Sequence, residues 1–214
     1  METKELFCVI QNSRDWQTDD KGKDLQYKIM LNHEERRVYI LVEETKTRKD
    51  WFYNFLFLPF PFRLKKGTWL IVHSGWLYLS KTLFECVKKT ILYTPELNRA
   101  FFGGYEVLFS GWSAGVPLVE LLAARFCKAK LVEKPLLVGF ASPAYCYGKK
   151  TAATIKGLFS EYLNYLWYND WIKYVVPLCK RNVRVDVFEK DAPCKTLDER
   201  HRIYGKGELL PGEI

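Results

Sequence analysis

The chain has 214 residues, 48% of them hydrophobic and 27% charged, ordinary globular usage that excludes a disordered or fibrous chain. Its 33 Lys and Arg against 25 Asp and Glu give a net charge of +8, which invites an anionic partner. The basic residues come as scattered doublets (Lys65-Lys66, Lys88-Lys89, Lys149-Lys150) without a nucleic-acid motif, so nucleic acid is not expected and a peripheral anionic membrane surface stays open as a partner.

In chain order, apolar stretches predict strands over 6–10, 25–31 and 37–43, with the polar run Asn32-His33-Glu34-Glu35 turning the last two into a hairpin. Residues 48–66 read as an aromatic loop broken by Pro59 and Pro61. Leu79, Leu83, Phe84, Val87 and Ile91 fall at helical spacing and predict a helix over 75–92. The order then alternates: strand 105–109, helix 115–126, strand 135–140, helix 151–162, strand 164–168 and a final strand 183–188. Antiparallel strands followed by strand–helix alternation predict a single α/β domain over 1–214, a mixed sheet with helices on both faces. Ligands of such sheets sit at the carboxyl ends of the parallel strands, here just after Phe109, Phe140 and Tyr168.

At the first of these ends the chain reads Gly111-Trp112-Ser113-Ala114-Gly115. This is G-x-S-x-G between a strand and a helix, the setting of a nucleophile elbow, where side chains two residues either side of the serine would collide with packed helix and sheet. Ser113 needs a base to take its proton and a third group to orient that base. The elbow fold expects the order Ser, Asp or Glu, His. His33 and His73 precede Ser113, so His201 alone has the right order. For the acid, Asp170 follows a strand at the expected rim, Asp186 falls mid-strand, and Asp191 is the main rival.

The remaining composition adds limits. The six cysteines (Cys8, Cys86, Cys127, Cys146, Cys179, Cys194) form no C-x-x-C pair and read as reduced, mostly buried thiols; no metal site is expected. The longest apolar stretch, 51–62, falls short of a bilayer span. Met1-Glu2-Thr3-Lys4-Glu5 has no signal-peptide character, so the chain as given is expected to be cytoplasmic.

The chain resembles the class 3 (fungal-type) lipases of the α/β-hydrolase superfamily in six segments, in order, over about residues 38–205. Val42-Glu43-Glu44-Thr45 with Asp50-Trp51 and Asn54 is similar to that family's F-R-G-[S/T] with D-W and N. Val72-His73-Ser74-Gly75-Trp76 resembles V-H-x-G-F, Gly111-Trp112-Ser113-Ala114-Gly115-Val116 resembles G-H-S-L-G-G, and Phe140-Ala141-Ser142-Pro143 resembles F-G-S-P. Asn169-Asp170-Trp171-Ile172 with Pro177 resembles N-D-x-V-x-x-x-P, and Arg200-His201-Arg202-Ile203-Tyr204 resembles D-H-x-x-Y.

The resemblance implies an α/β-hydrolase fold with Ser113, Asp170 and His201 as triad, selecting Asp170 over Asp191. It implies an oxyanion hole from Thr45 and the Ala114 N–H, and a lid over 48–66. It also implies that Trp51, Phe55, Phe57, Phe60 and Trp112 meet an apolar substrate. His73 is expected to be structural. The activity implied is hydrolysis of carboxylic esters, acylglycerol or phospholipid, through an acyl-enzyme and without a cofactor. In the family's Arg-Gly place this chain has Glu43-Glu44, a carboxylate pair beside the oxyanion hole. That departure supports the alternative, a catalytically silent binding or scaffold protein.

Overall fold

A computed structural model describes residues 1, 3–13, 15–18, 25–43, 56, 58–167 and 185–188. Its elements are α1 (Thr3–Asn12), β1 (Gln17–Thr18), β2 (Gln26–Asn32), β3 (Arg37–Val42), β4 (Pro59–Lys65), β5 (Thr68–His73), α2 (Ser74–Tyr93) and α3 (Pro95–Phe102). They continue with β6 (Glu106–Trp112), α4 (Gly115–Lys128), β7 (Leu136–Phe140), α5 (Lys149–Lys156), β8 (Glu161–Trp167) and β9 (Val185–Phe188).

Seven strands make one sheet in the order β1-β2-β3-β6-β7-β8-β9, and β4 and β5 pair as a separate hairpin. The first three strands are antiparallel, while β3, β6, β7, β8 and β9 run parallel. This is the mixed sheet expected from the strand–helix order. Alternate residues serve opposite faces, as the period of a strand requires. Val38, Ile40, Val42, Val107 and Phe109 pack with Leu79, Leu83, Val119, Leu122 and Phe126 of α2 and α4. Tyr39, Leu41, Leu108, Val138 and Phe140 pack under Leu6, Phe7 and Ile10 of α1.

Four expectations are corrected. Residues 6–10, expected as a strand, lie within α1. Leu6, Phe7 and Ile10 are buried while Glu5 and Cys8 are exposed, a helical spacing of one, three and four that a five-residue apolar run does not distinguish from a buried strand. Residues 59–65, expected inside a loop, form β4. Phe62 and Leu64 point inward and Gly67, at φ +77°, allows the two-residue turn to β5. Proline is tolerated there because a two-stranded sheet consists of edges. The helix expected over 151–162 ends at Lys156, where the Gly157 N–H bonds the Ala153 carbonyl, and β8 begins at Glu161. The strand expected to stop at Phe109 runs on to Trp112. In addition α3, not expected, starts on Pro95, a residue pre-set for the first turn of a helix.

Cys86 and Cys146 are buried, Cys127 is half-buried and Cys8 is exposed; none of these four is in a disulfide. Cys179 and Cys194 lie outside the described residues. Among the described residues no helix is long and apolar enough to cross a membrane.

Candidate active site

The parallel register draws one edge of the sheet level. Val42 of β3 lies beside Gly111 of β6, Gly111 beside Gly139 of β7, and Gly139 beside Asn164 of β8. Ser113 follows β6 at this edge with φ +53°, a left-handed conformation that costs a non-glycine residue roughly 1–2 kcal/mol. Surrounding bonds hold it there: its N–H donates to the Phe140 carbonyl at 2.8 Å, and its carbonyl accepts the Val116 N–H at 3.1 Å. The residue is 7% exposed.

The flanking glycines are required by space. A Cβ on Gly111 would stand 2.7 Å from the backbone carbonyl of Gly115, and one on Gly115 would stand 2.5 Å from the Val42 carbonyl oxygen and 2.8 Å from that of Glu43. The start of α4 is thus pressed onto the end of β3. Ala114, buried at 5%, heads α4, so its N–H sits at the positive end of the helix dipole. Ala141, at φ +55°, repeats the device after β7, its N–H donating to the Tyr165 carbonyl at 2.8 Å. Ser110, three residues before Ser113, donates its hydroxyl to the Val138 carbonyl at 2.6 Å.

The histidines separate by role. His33 occupies the turn before β3, at the opposite edge from Ser113, with its ring nitrogens on Glu96 and the Tyr105 hydroxyl. His73 is fully buried and caps α2: its Nδ1 accepts the Trp76 N–H and its ring stacks on Trp76 at 4.0 Å. The expectation that His73 is structural agrees with this geometry. Trp112 departs from expectation. It is 3% exposed and meets Phe7 of α1 edge-on at 6.1 Å, because the even positions of β6 face α1 while Gly111 faces α4. It is part of the core on the α1 side of the sheet. Phe60 lies on β4 and is 54% exposed. Asp170, His201, Thr45, Trp51, Phe55, Phe57 and the rival Asp191 lie outside the described residues. Asp186 lies within β9.

One cluster was not read from the sequence. Glu120 of α4 is fully buried and accepts the Tyr145 hydroxyl at 2.5 Å and the Tyr162 hydroxyl at 2.7 Å. Burial, with the Glu120 carboxylate beside them, pushes both phenols well above their usual range. One turn before Glu120, Val116 packs on Gly139, where a Cβ would stand 2.8 Å from Val116 Cγ1 and 3.2 Å from Asn164 Oδ1. Glu120 therefore ties the helix that follows Ser113 to β8 and to the loop after β7. The signal for it was available: Glu120 is the one charged residue between Gly115 and Ala124.

The lipase (class 3) family profile matches residues 39–178, well over half of the chain and including the Ser113 turn. The chain belongs to the lipase (class 3) family. Solved structures agree at the level of the fold. The Rhizomucor miehei triacylglyceride lipase is 17% identical with a TM-score of 0.62, over 77% of this chain and 60% of that one. The Aspergillus oryzae mono- and diacylglycerol lipase is 15% identical with a TM-score of 0.62, over 86% of this chain and 66% of that one. A triacylglycerol lipase whose catalytic centre is described as a serine protease triad is 17% identical with a TM-score of 0.58, over 76% of this chain and 58% of that one. This class 3 lipase chain spans less than two thirds of each of these three proteins. No curated protein sequence matches it.

Proposed function

We propose that this protein hydrolyses carboxylic esters of the lipid class, acylglycerol or phospholipid, with Ser113 as nucleophile. The observation that carries the reading is the left-handed Ser113 between β6 and α4, with a glycine two residues to either side where no Cβ fits. A hydroxyl held in strain at a strand end, at the head of a helix, is suited to attacking a carbonyl and poorly explained by packing alone. The family, and the triacylglycerol lipase with its serine protease triad among the structural relatives, support the same chemistry.

In this reading Ser113 Oγ attacks the acyl carbonyl while the imidazole of His201 takes its proton, and Asp170 orients and stabilises the imidazolium. The oxyanion forms against the Ala114 N–H and the Thr45 backbone, donors that typically contribute a few kcal/mol each in the transition state. The protonated imidazole releases the alcohol, and water then frees the acid from the acyl-enzyme. Support for His201 comes from chain order and from the occupied rings of His33 and His73. Support for Asp170 comes from β8, which runs parallel two strands from β6 and ends three residues before it. Trp51, Phe55, Phe57 and Phe60 are proposed contacts for the acyl chain.

A second reading, a silent binding protein on the same fold, is favoured by Glu43, whose buried position adjoins the Gly115 turn. A fluorophosphonate probe separates the two. Labelling that disappears in Ser113→Ala, with p-nitrophenyl ester turnover falling at least 1,000-fold in Ser113→Ala and His201→Ala alike, supports the enzyme, since such residues act as a unit. No labelling between pH 6 and 9 supports the binding protein. Loss of turnover in Asp191→Asn and not in Asp170→Asn would transfer the acid to Asp191.

A further inference from the structure

Helix α4 leads away from Ser113, and from Gly115 to Ala124 every one of its residues is buried. All of them are apolar except Glu120. Apolar burial has no direction, and a core of such residues accepts small rearrangements at little cost. Hydrogen bonds are confined in length and angle, so the two phenol bonds to Glu120 can select one register for α4, the best-attested use of a buried polar group. Val116, four residues earlier on the same side of the helix, rests on Gly139.

The partners of Glu120 are themselves fixed. Tyr162 stands on β8, and Asn164, two residues on and on the same face, donates an amide N–H to its phenol oxygen. Asn164 is level with Gly139, and Gly139 with Gly111, the first glycine of the turn. Tyr145 is held from the far side: its carbonyl accepts the His73 N–H at 3.0 Å, and its ring meets Trp76 edge-on at 6.3 Å. The carboxylate is therefore gripped between β8 and the loop after β7. Glu120 follows Ser113 by seven residues, two helical turns or about 10 Å, so a slip of α4 at Glu120 is delivered to Ser113 and to the Ala114 N–H.

We propose that Glu120 is a positioning residue, whose bonds to Tyr145 and Tyr162 set the register of α4 and hold Ser113 and the Ala114 N–H at a fixed reach from the carboxyl end of β8. Fully buried, with both oxygens engaged, it acts through the helix and not on a substrate. Its effect on turnover rests on the reading of Ser113 as nucleophile, with Asp170 just beyond β8; its effect on the turn rests on geometry alone. A purely stabilising role is the rival. It predicts that any replacement of equal stability leaves the Ser113 turn as it was.

The test replaces the whole cluster by apolar side chains of similar shape, Glu120→Met with Tyr145→Phe and Tyr162→Phe, in the full chain. Removing all partners together is nearly neutral for stability, so thermal unfolding is expected to match the wild type. Amide exchange of Ser113 and Val116 is expected to quicken roughly tenfold while that of β3 stays unchanged. Turnover of a p-nitrophenyl ester should show kcat down about 10- to 100-fold, the cost of a displacement on the order of 1 Å or less, with KM within about twofold. Glu120→Gln alone accepts one phenol O–H and donates an N–H to the other oxygen, and is expected to keep both readouts near wild type. Should the triple variant not fold, Tyr162→Phe cuts only the bond to β8 and is expected to quicken the same amides. Wild-type exchange at Ser113 and Val116 in a folded variant overturns the proposal, as does a loss of kcat that Glu120→Gln shares. If the wild-type chain neither turns over ester nor takes the fluorophosphonate probe, ester hydrolysis falls and amide exchange alone decides for or against Glu120.

Discussion

The turn at Ser113 and the turn at Lys66-Gly67 both depend on glycine, for different reasons. At the first, the glycines flank the left-handed residue, and a Cβ on either would strike backbone at 2.5–2.7 Å. At the second, Gly67 is itself left-handed, at φ +77°, and a Cβ there would meet nothing within 4 Å. One turn is dictated by packing from all sides and the other by local backbone geometry alone. Strain can be held on a serine in the first because β3, β7 and α4 converge on it. In the second no neighbour could hold strain, so the residue that feels none is used.

This contrast predicts a ranking of effects. Gly115→Ala should be the most damaging change, since Val42 and Glu43 backbone must move; a loss of about 3 kcal/mol or failure to fold is expected in urea unfolding. Glu120→Ala should follow at about 2–3 kcal/mol, because two buried phenol hydroxyls lose their acceptor, while Glu120→Gln should recover most of that loss. Ser113→Gly should act in the opposite sense, raising stability by about 1 kcal/mol as the left-handed strain is released, while abolishing probe labelling. A fall in Tm for Ser113→Gly would mean that the serine side chain, and not the backbone, holds the turn. Gly67→Asn should change stability least, within about 0.5 kcal/mol, since asparagine tolerates the left-handed region and the site is open. If Gly67→Asn proved as damaging as Gly115→Ala, the distinction between the two turns would be lost.

How far the sequence could be read followed the range of the forces involved. Helices α2 and α4 were legible because Leu79, Leu83, Val87 and Ile91, and then Val116, Val119 and Ala123, repeat at the helical period over several turns. The Ser113 turn was legible because a steric demand so tight leaves only glycine at two positions. By contrast, residues 6–10 are too few to show a period, and Phe60-Pro61-Phe62 looked like a broken loop because a proline normally argues against a strand. For Trp112 the resemblance implied a contact with substrate, and the sequence did not show which face of the sheet it serves. Alternation along β6 turns it the other way, under Phe7.

The amino-acid order alone determined the alternating plan of strands and helices, the family motifs and the nucleophile turn, since each rests on contacts between residues close in sequence or on the absence of a side chain. Folding in three dimensions decided which strands lie level at the Ser113 edge, that α1 covers the far face, and that Glu120 meets Tyr145 and Tyr162. It also decided which aromatics of the β4–β5 hairpin remain outside. Most of those outcomes depend on pairing and burial between segments 25 to more than 130 residues apart, whose free energies are set by what each side chain packs against and leave no local trace.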